Sequence, residues 1–424
     1  MYGAGNIGRG FIGQVFSRSG YELQFIDVAE KVVEALNREG RYPVRILSDD
    51  SSTDTWIEGV SAIDGRNEEA ASDAIADTDI MATAVGVRVL PFIAPVIAGG
   101  LKKRFAMANS HASCRANSHA GCRDGRGAVK ALNIIICENL IDANKALEGL
   151  IKKYLSAEEQ KIFDESVGLV EASIGRMVPL QTPEMQDGNP LRICVEAYGF
   201  LPVDKAAFKG EIPSLTGMCP FDNFMFYIQR KLFVHNLGHA ICAYLGMLCG
   251  DTYIYETVGR GGILFIAQNA MLESALALSA KYSASLPDLH YHIRDLLRRF
   301  SNKALGDTCG RVGADTKRKL GNNDRLIGSF LCCGEEGVSP AFISIGIAAA
   351  VHCHLKENGT PQSPEAARAV LREVSGIEED SVRTERILSF HSMCASIGRG
   401  GNFDEVIGKL IKAASDAGHK PDII

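Results

Sequence analysis

The sequence predicts an α/β fold in two parts: an N-terminal, doubly wound, mostly parallel sheet followed by a mainly α-helical C-terminal domain. Three observations predict it. The first half alternates short apolar runs with helical patterns, as βαβ units do. A glycine-rich turn opens the chain, and from about Phe221 onward helical periods continue without further strand-like alternation. The 424 residues exceed the ~100–200 of one ordinary domain. A boundary is expected near residue 190, giving domains 1–190 and 191–424.

In chain order, Gly3-Ala4-Gly5-Asn6-Ile7-Gly8 matches G-x-G-x-x-G, the pattern in which glycines allow a tight turn and let backbone approach a pyrophosphate. Asp27 follows the apolar run Leu23-Gln24-Phe25-Ile26, where a carboxylate can accept ribose hydroxyls. It would repel a 2′-phosphate, and Val28, Ala29 and Glu30 supply no cation to hold one. The sequence therefore predicts a Rossmann-type domain that takes NAD in preference to NADP. Only Met1 and Tyr2 precede Gly3, so the first strand is expected to be truncated. A chain extended upstream by a short apolar strand is expected to be more stable.

Further strands are predicted at residues 22–26, 80–85 and 133–137, with a last strand at 191–195. A connecting region follows through Pro202, Gly210, Pro213 and Gly217. Residues 108–115 and 116–123 are a near-tandem duplication, ANSHASCR and ANSHAGCR, read as an inserted surface loop over about 108–127. His111, Cys114, His119 and Cys122 are residue types that zinc accepts. Duplicating any segment with one His and one Cys produces the same set, so no metal is expected.

The charge of -6 gives no general attraction to nucleic acid. No apolar run is read as reaching the ~18–20 residues of a membrane helix. The N-terminus opens into the glycine-rich turn rather than a signal peptide, and twelve scattered cysteines suit a reducing compartment. A cytoplasmic enzyme, monomeric or weakly oligomeric, is expected. His352-Cys353-His354 is read as packing, and Cys332-Cys333 lacks the spacing of a redox pair.

Within the apolar stretch 224–248 stand Lys231, Asn236 and His239. At about 100° per residue they fall at roughly 0°, 140° and 80° on a regular helix, within one arc. Oxidising an alcohol by hydride transfer needs a base for the hydroxyl proton and donors for the developing alkoxide. Lys231 can be the base, while Asn236 and His239 can hydrogen-bond the oxygen.

Lys-x4-Asn-x2-His resembles the active-site motif of the polyol-specific long-chain dehydrogenases, the mannitol dehydrogenase family. Further motifs carry the resemblance over nearly the whole chain. They are GAGNIGRGFIG from Gly3, Thr83-Ala84-Val85-Gly86, Cys137-Glu138-Asn139, Arg176-Met177-Val178-Pro179, Val203-Asp204-Lys205 and Asp324-Arg325-Leu326-Ile327. The resemblance implies a metal-independent, NAD-dependent interconversion of mannitol 1-phosphate and fructose 6-phosphate. It places Val85 at the cofactor and Asn139 near nicotinamide and substrate. It also directs part of the basic segment 311–325, with Arg311 and Lys319 foremost, at the sugar phosphate. Gly175 stands where that family usually carries an aspartate. The alternatives are a dehydrogenase of an unphosphorylated polyol or a hexuronate, a β-hydroxyacid or 6-phosphogluconate dehydrogenase, and a nucleotide-binding inactive homologue.

Overall fold

The computed structural model describes residues 1–48, 51–116, 129–377, 381–397 and 401–418, without the side chains of 109–116. It divides into two compact units at Phe224/Met225. That is later than residue 190, because residues after the expected last strand still complete the first unit's sheets.

In the first unit the strands are β1 (Leu23–Asp27), β2 (Arg41–Ser48), β3 (Ser51–Glu58), β4 (Val60–Asp64) and β5 (Ile80–Thr83). They are followed by β6 (Leu132–Ile136), β7 (Val167–Glu171), β8 (Ile193–Glu196), β9 (Leu201–Asp204) and β10 (Met218–Phe221). β4 pairs with β1, and β6 lies between β5 and β7, all parallel. Tyr2 joins these half-sheets through parallel bridges to Ile26 and Thr83. Its amide donates to Ala82 at 2.8 Å, and its carbonyl accepts from Ala84 at 2.9 Å. The spatial order β4-β1-Tyr2-β5-β6-β7 is therefore doubly wound, with the expected short first strand at its centre. β5, β6 and β7 are buried throughout, which accounts for the apolar character of the first two in the sequence; β7 was not among the expected strands.

The region of residues 191–195 is not the last strand. β8 pairs parallel with β2 in a small sheet that also holds antiparallel β3, and β9 and β10 then pair with each other. The first copy of the duplication is not loop either, since the helix Leu90–Ala116 runs through it. Most of the second copy, with His119 and Cys122, lies outside the described residues.

The second unit is helical around the buried Ala341–Glu357 helix, whose neighbours include Asn236–Cys249, Gly261–Tyr282 and Val382–Ile397. Two helical stretches, Phe224–Cys249 and Gly261–Tyr282, have the length and mean hydropathy of a membrane span, 1.4 each, which corrects the reading that no run was long enough. Both serve as core elements, with half or more of the apolar window buried inside the protein. Among the described residues no group of three or more metal-ligating side chains converges.

Candidate functional site

In the first unit a candidate nucleotide site forms at the carboxyl ends of β1, the Tyr2 bridge, β5 and β6. Gly3 turns the chain with φ of +98°, and a Cβ there would stand 2.5 Å from the Ala84 carbonyl oxygen. Only glycine fits. Ala4 is buried, and its amide donates to Asp27 Oδ2 at 2.6 Å; Asp27 Oδ1 accepts from Ala29 at 2.9 Å. Asp27 thus ties the glycine turn to the end of β1, and each oxygen keeps a further lone pair for a ligand hydroxyl. Gly5 is exposed, and a Cβ on it would meet nothing within 4 Å, so ligand atoms can approach this backbone. Asn6 and Ile7 are half-buried, and Gly8 is buried. Gly8 opens a π-helical turn, Gly8–Ile12, in which the Gly13 amide reaches the Gly8 carbonyl.

Buried Arg9 braces the turn from behind, donating from Nε to Ala4 at 2.6 Å and from a terminal nitrogen to Leu191 at 2.7 Å. Val85 donates its amide to Glu138 Oε1 at 2.9 Å, and Gly86 donates to Oε2 at 2.8 Å. Glu138 is buried and clamps the loop that follows β5. Its neighbour Asn139 is exposed just past β6. The sequence reading quoted Glu138 within a motif without giving it this role.

Gly175 has a local explanation. A Cβ there would come within 2.9 Å of the Tyr198 ring, so the tyrosine occupies the space an aspartate would need. Adjacent Arg176 is buried, donates to Gly10 and Gln14 at 2.8 Å each, and lies over the Phe11 ring. It holds the first unit together.

The second unit carries Lys231, Asn236 and His239 on one discontinuous helix. Phe224–Arg230 is α-helical, Lys231–His235 is π-helical, and Asn236–Cys249 is α-helical again. The Asn236 amide bonds the Lys231 carbonyl, an i→i+5 closure. Asn236 therefore sits about one wide turn above Lys231, instead of the roughly 140° away that a regular helix would give. His239, three residues further in regular helix, shares the face of Asn236. The regular helix assumed for these three residues is interrupted by a π turn. All three side chains are half-buried. Gly238, on this stretch, lets the helix close on Gly261–Tyr282, since a Cβ there would collide with Met271.

His239 stacks on Phe300 with centroids 4.7 Å apart and rings within 10° of parallel. Its Nε2 lies 3.2 Å from Asp307 Oδ2. Asp307 is 9% exposed and also accepts from Arg311, at 2.8 Å from Nε to Oδ1. Burial works against the Asp307 charge, but the hydrogen bonds from His239 and Arg311 and the Arg311 charge outweigh it and hold the carboxyl below its usual range. Arg311 is thereby joined to the His239 network. Lys319 is not: its ammonium is buried and donates to the Val312 and Ala314 carbonyls, and burial pushes it down to about 8. In this arrangement it braces its own turn. Arg318 pairs with Asp315 and Asp324, and Arg325 with Asp324. Sequence reasoning missed Asp307, although its spacing of four residues before Arg311 is the signal of an acid–base pair.

A glycine-turn nucleotide domain joined to a helical unit carrying lysine, asparagine and histidine on one face defines a two-domain dehydrogenase. Residues 1–114 and 119–217 match the mannitol dehydrogenase Rossmann domain, and 223–400 match the mannitol dehydrogenase C-terminal domain. The chain belongs to the mannitol dehydrogenase family of oxidoreductases. The first match is interrupted within the duplicated segment. Among solved structures, the fold is similar to the Pseudomonas fluorescens mannitol 2-dehydrogenase ternary complex with NAD and D-mannitol. The TM-score is 0.70 at 15% identity, covering 97% of this chain and 93% of that one. It is also similar to a D-sorbitol dehydrogenase in substrate-free form, with TM-score 0.67 at 15% identity, covering 98% and 91%.

Proposed function

We propose that this chain interconverts mannitol 1-phosphate and fructose 6-phosphate with NAD, by hydride transfer and with Lys231 as general base. The observation that carries the chemistry is the π turn that stacks Asn236 on Lys231 and brings His239 to the same face. NAD is the cofactor. The open backbone at Gly5 suits a pyrophosphate, and the Asp27 carboxylate suits ribose hydroxyls while repelling a 2′-phosphate. Bound at this turn, NAD would supply the hydride acceptor for the carbinol carbon. Lys231 takes the hydroxyl proton, the Asn236 amide donates to the oxygen on which charge develops, and His239 holds the substrate beside them. No metal enters this scheme, so chelators are expected to leave the rate unchanged. Cytoplasmic residence is part of the same reading.

The phosphate assignment is supported by five cations within residues 311–325 and by the motif resemblance. Arg311, with a side chain 42% exposed, is the cation of this segment that is joined to His239 through Asp307. A second reading, an unphosphorylated polyol, is favoured by the internal pairing of Arg311, Arg318 and Arg325 and by the inward Lys319. One assay separates them. NADH consumption is followed with fructose 6-phosphate, fructose and fructuronate in parallel, and the ester is expected to be used best. Equal or better use of fructose replaces the first reading with the second.

A further inference from the structure

The network around His239 contains a carboxylate whose role goes beyond packing. Asp307 is fixed at both its backbone and its side chain. Its carbonyl accepts from the Ile254 amide at 2.9 Å, and the next residue, Thr308, bridges Tyr253. The Thr308 hydroxyl caps the short helix that carries Arg311, accepting from its amide at 3.2 Å. The carboxylate is thereby aimed at His239 Nε2, while Phe300 fixes the imidazole plane. An ionised carboxylate can only accept, so the proton of a neutral His239 resides on Nε2.

We infer that Asp307 is a positioning residue for the reaction: it locks His239 in the Nε2–H tautomer and leaves the Nδ1 lone pair as the atom offered to substrate. This rests on the reading that His239 contacts substrate. His239 is then an acceptor, complementary to the donating Asn236 amide, and it selects a substrate with a hydroxyl donor beside the reacting carbon. A ligand with an ether or hydrogen at that position leaves Nδ1 unpaired. Specificity for a polyol follows from the pairing. Arg311 grips the other carboxylate oxygen and keeps Asp307 from rotating away.

The test is Asp307→Asn in the full chain, whose amide can donate to Nε2 and so invert the tautomer. The kcat is expected to fall about 10²–10⁴-fold, as for loss of a correctly oriented imidazole, with NAD affinity unchanged. The imidazole nitrogen shifts of His239 should move from Nε2-protonated to Nδ1-protonated, a readout that loosening Arg311 or lowering stability would not reproduce. In a His239→Ala background the same substitution should add less than about threefold. An unchanged tautomer with near-native kcat, or an equal loss in both backgrounds, overturns the inference. A His239→Ala enzyme with near-native kcat instead removes His239 from the mechanism, and both readings then fall.

Discussion

On the proposed reading Lys231 is the general base, and it opens a π turn in which its carbonyl receives the Asn236 backbone amide across an i→i+5 closure. Lys231→Ala is expected to lower kcat by about 10²–10⁴ while leaving NAD affinity nearly native, because the lysine acts on the substrate proton. Near-native kcat by steady-state assay would exclude it as the base. The residue types of this site were legible as Lys-x4-Asn-x2-His, but the π turn was not, because an extra residue in a turn leaves the one-dimensional pattern unchanged. Asp307 was hidden for another reason. It reaches His239 from a distant part of the chain, and only packing of the second unit brings the two within 3.2 Å. Likewise Arg311 and Lys319 look alike in sequence, yet one meets a carboxylate and the other turns inward to carbonyls.

One element shows how much depends on what lies beside it. The central helix Ala341–Glu357 begins under the carboxylate of Glu273, which accepts from Phe342 at 2.8 Å and Ile343 at 2.9 Å. Burial pushes this carboxyl up to about 8, opposed by those backbone bonds. A raised folded-state pKa means stability is fully present below about 4.5 and is lost as pH rises toward 8, at no more than about 1.4 kcal/mol per pH unit. Glu273→Gln, which cannot ionise, should therefore gain stability relative to the native protein as pH goes from 5 to 8 in paired denaturant titrations. A difference that does not change with pH would show that the carboxyl does not titrate in this window.

Over the whole molecule, the nucleotide turn belongs to one compact unit and the catalytic face to the other, so substitutions should sort by unit. Arg311→Ala is expected to lower kcat/KM for fructose 6-phosphate roughly ten- to hundredfold, to change the value for fructose far less, and to leave NAD affinity unaltered. An equal loss on both sugars would show that Arg311 acts through Asp307 and His239 alone and would remove it from phosphate binding. Much of this organisation was determined by sequence alone: the βαβ alternation, the glycine turn with Asp27, the helical second half and the Lys231, Asn236 and His239 triplet. These are local patterns, in which side-chain period and turn chemistry act over a few residues. Tertiary structure decided the rest. It set the domain limit at Phe224, because the late strands β9 and β10 pair with each other rather than announcing themselves by alternation. It also decided which partner each cation takes, because whether a carboxylate such as Asp307 or a carbonyl such as that of Val312 is packed against it is chosen by the folded chain.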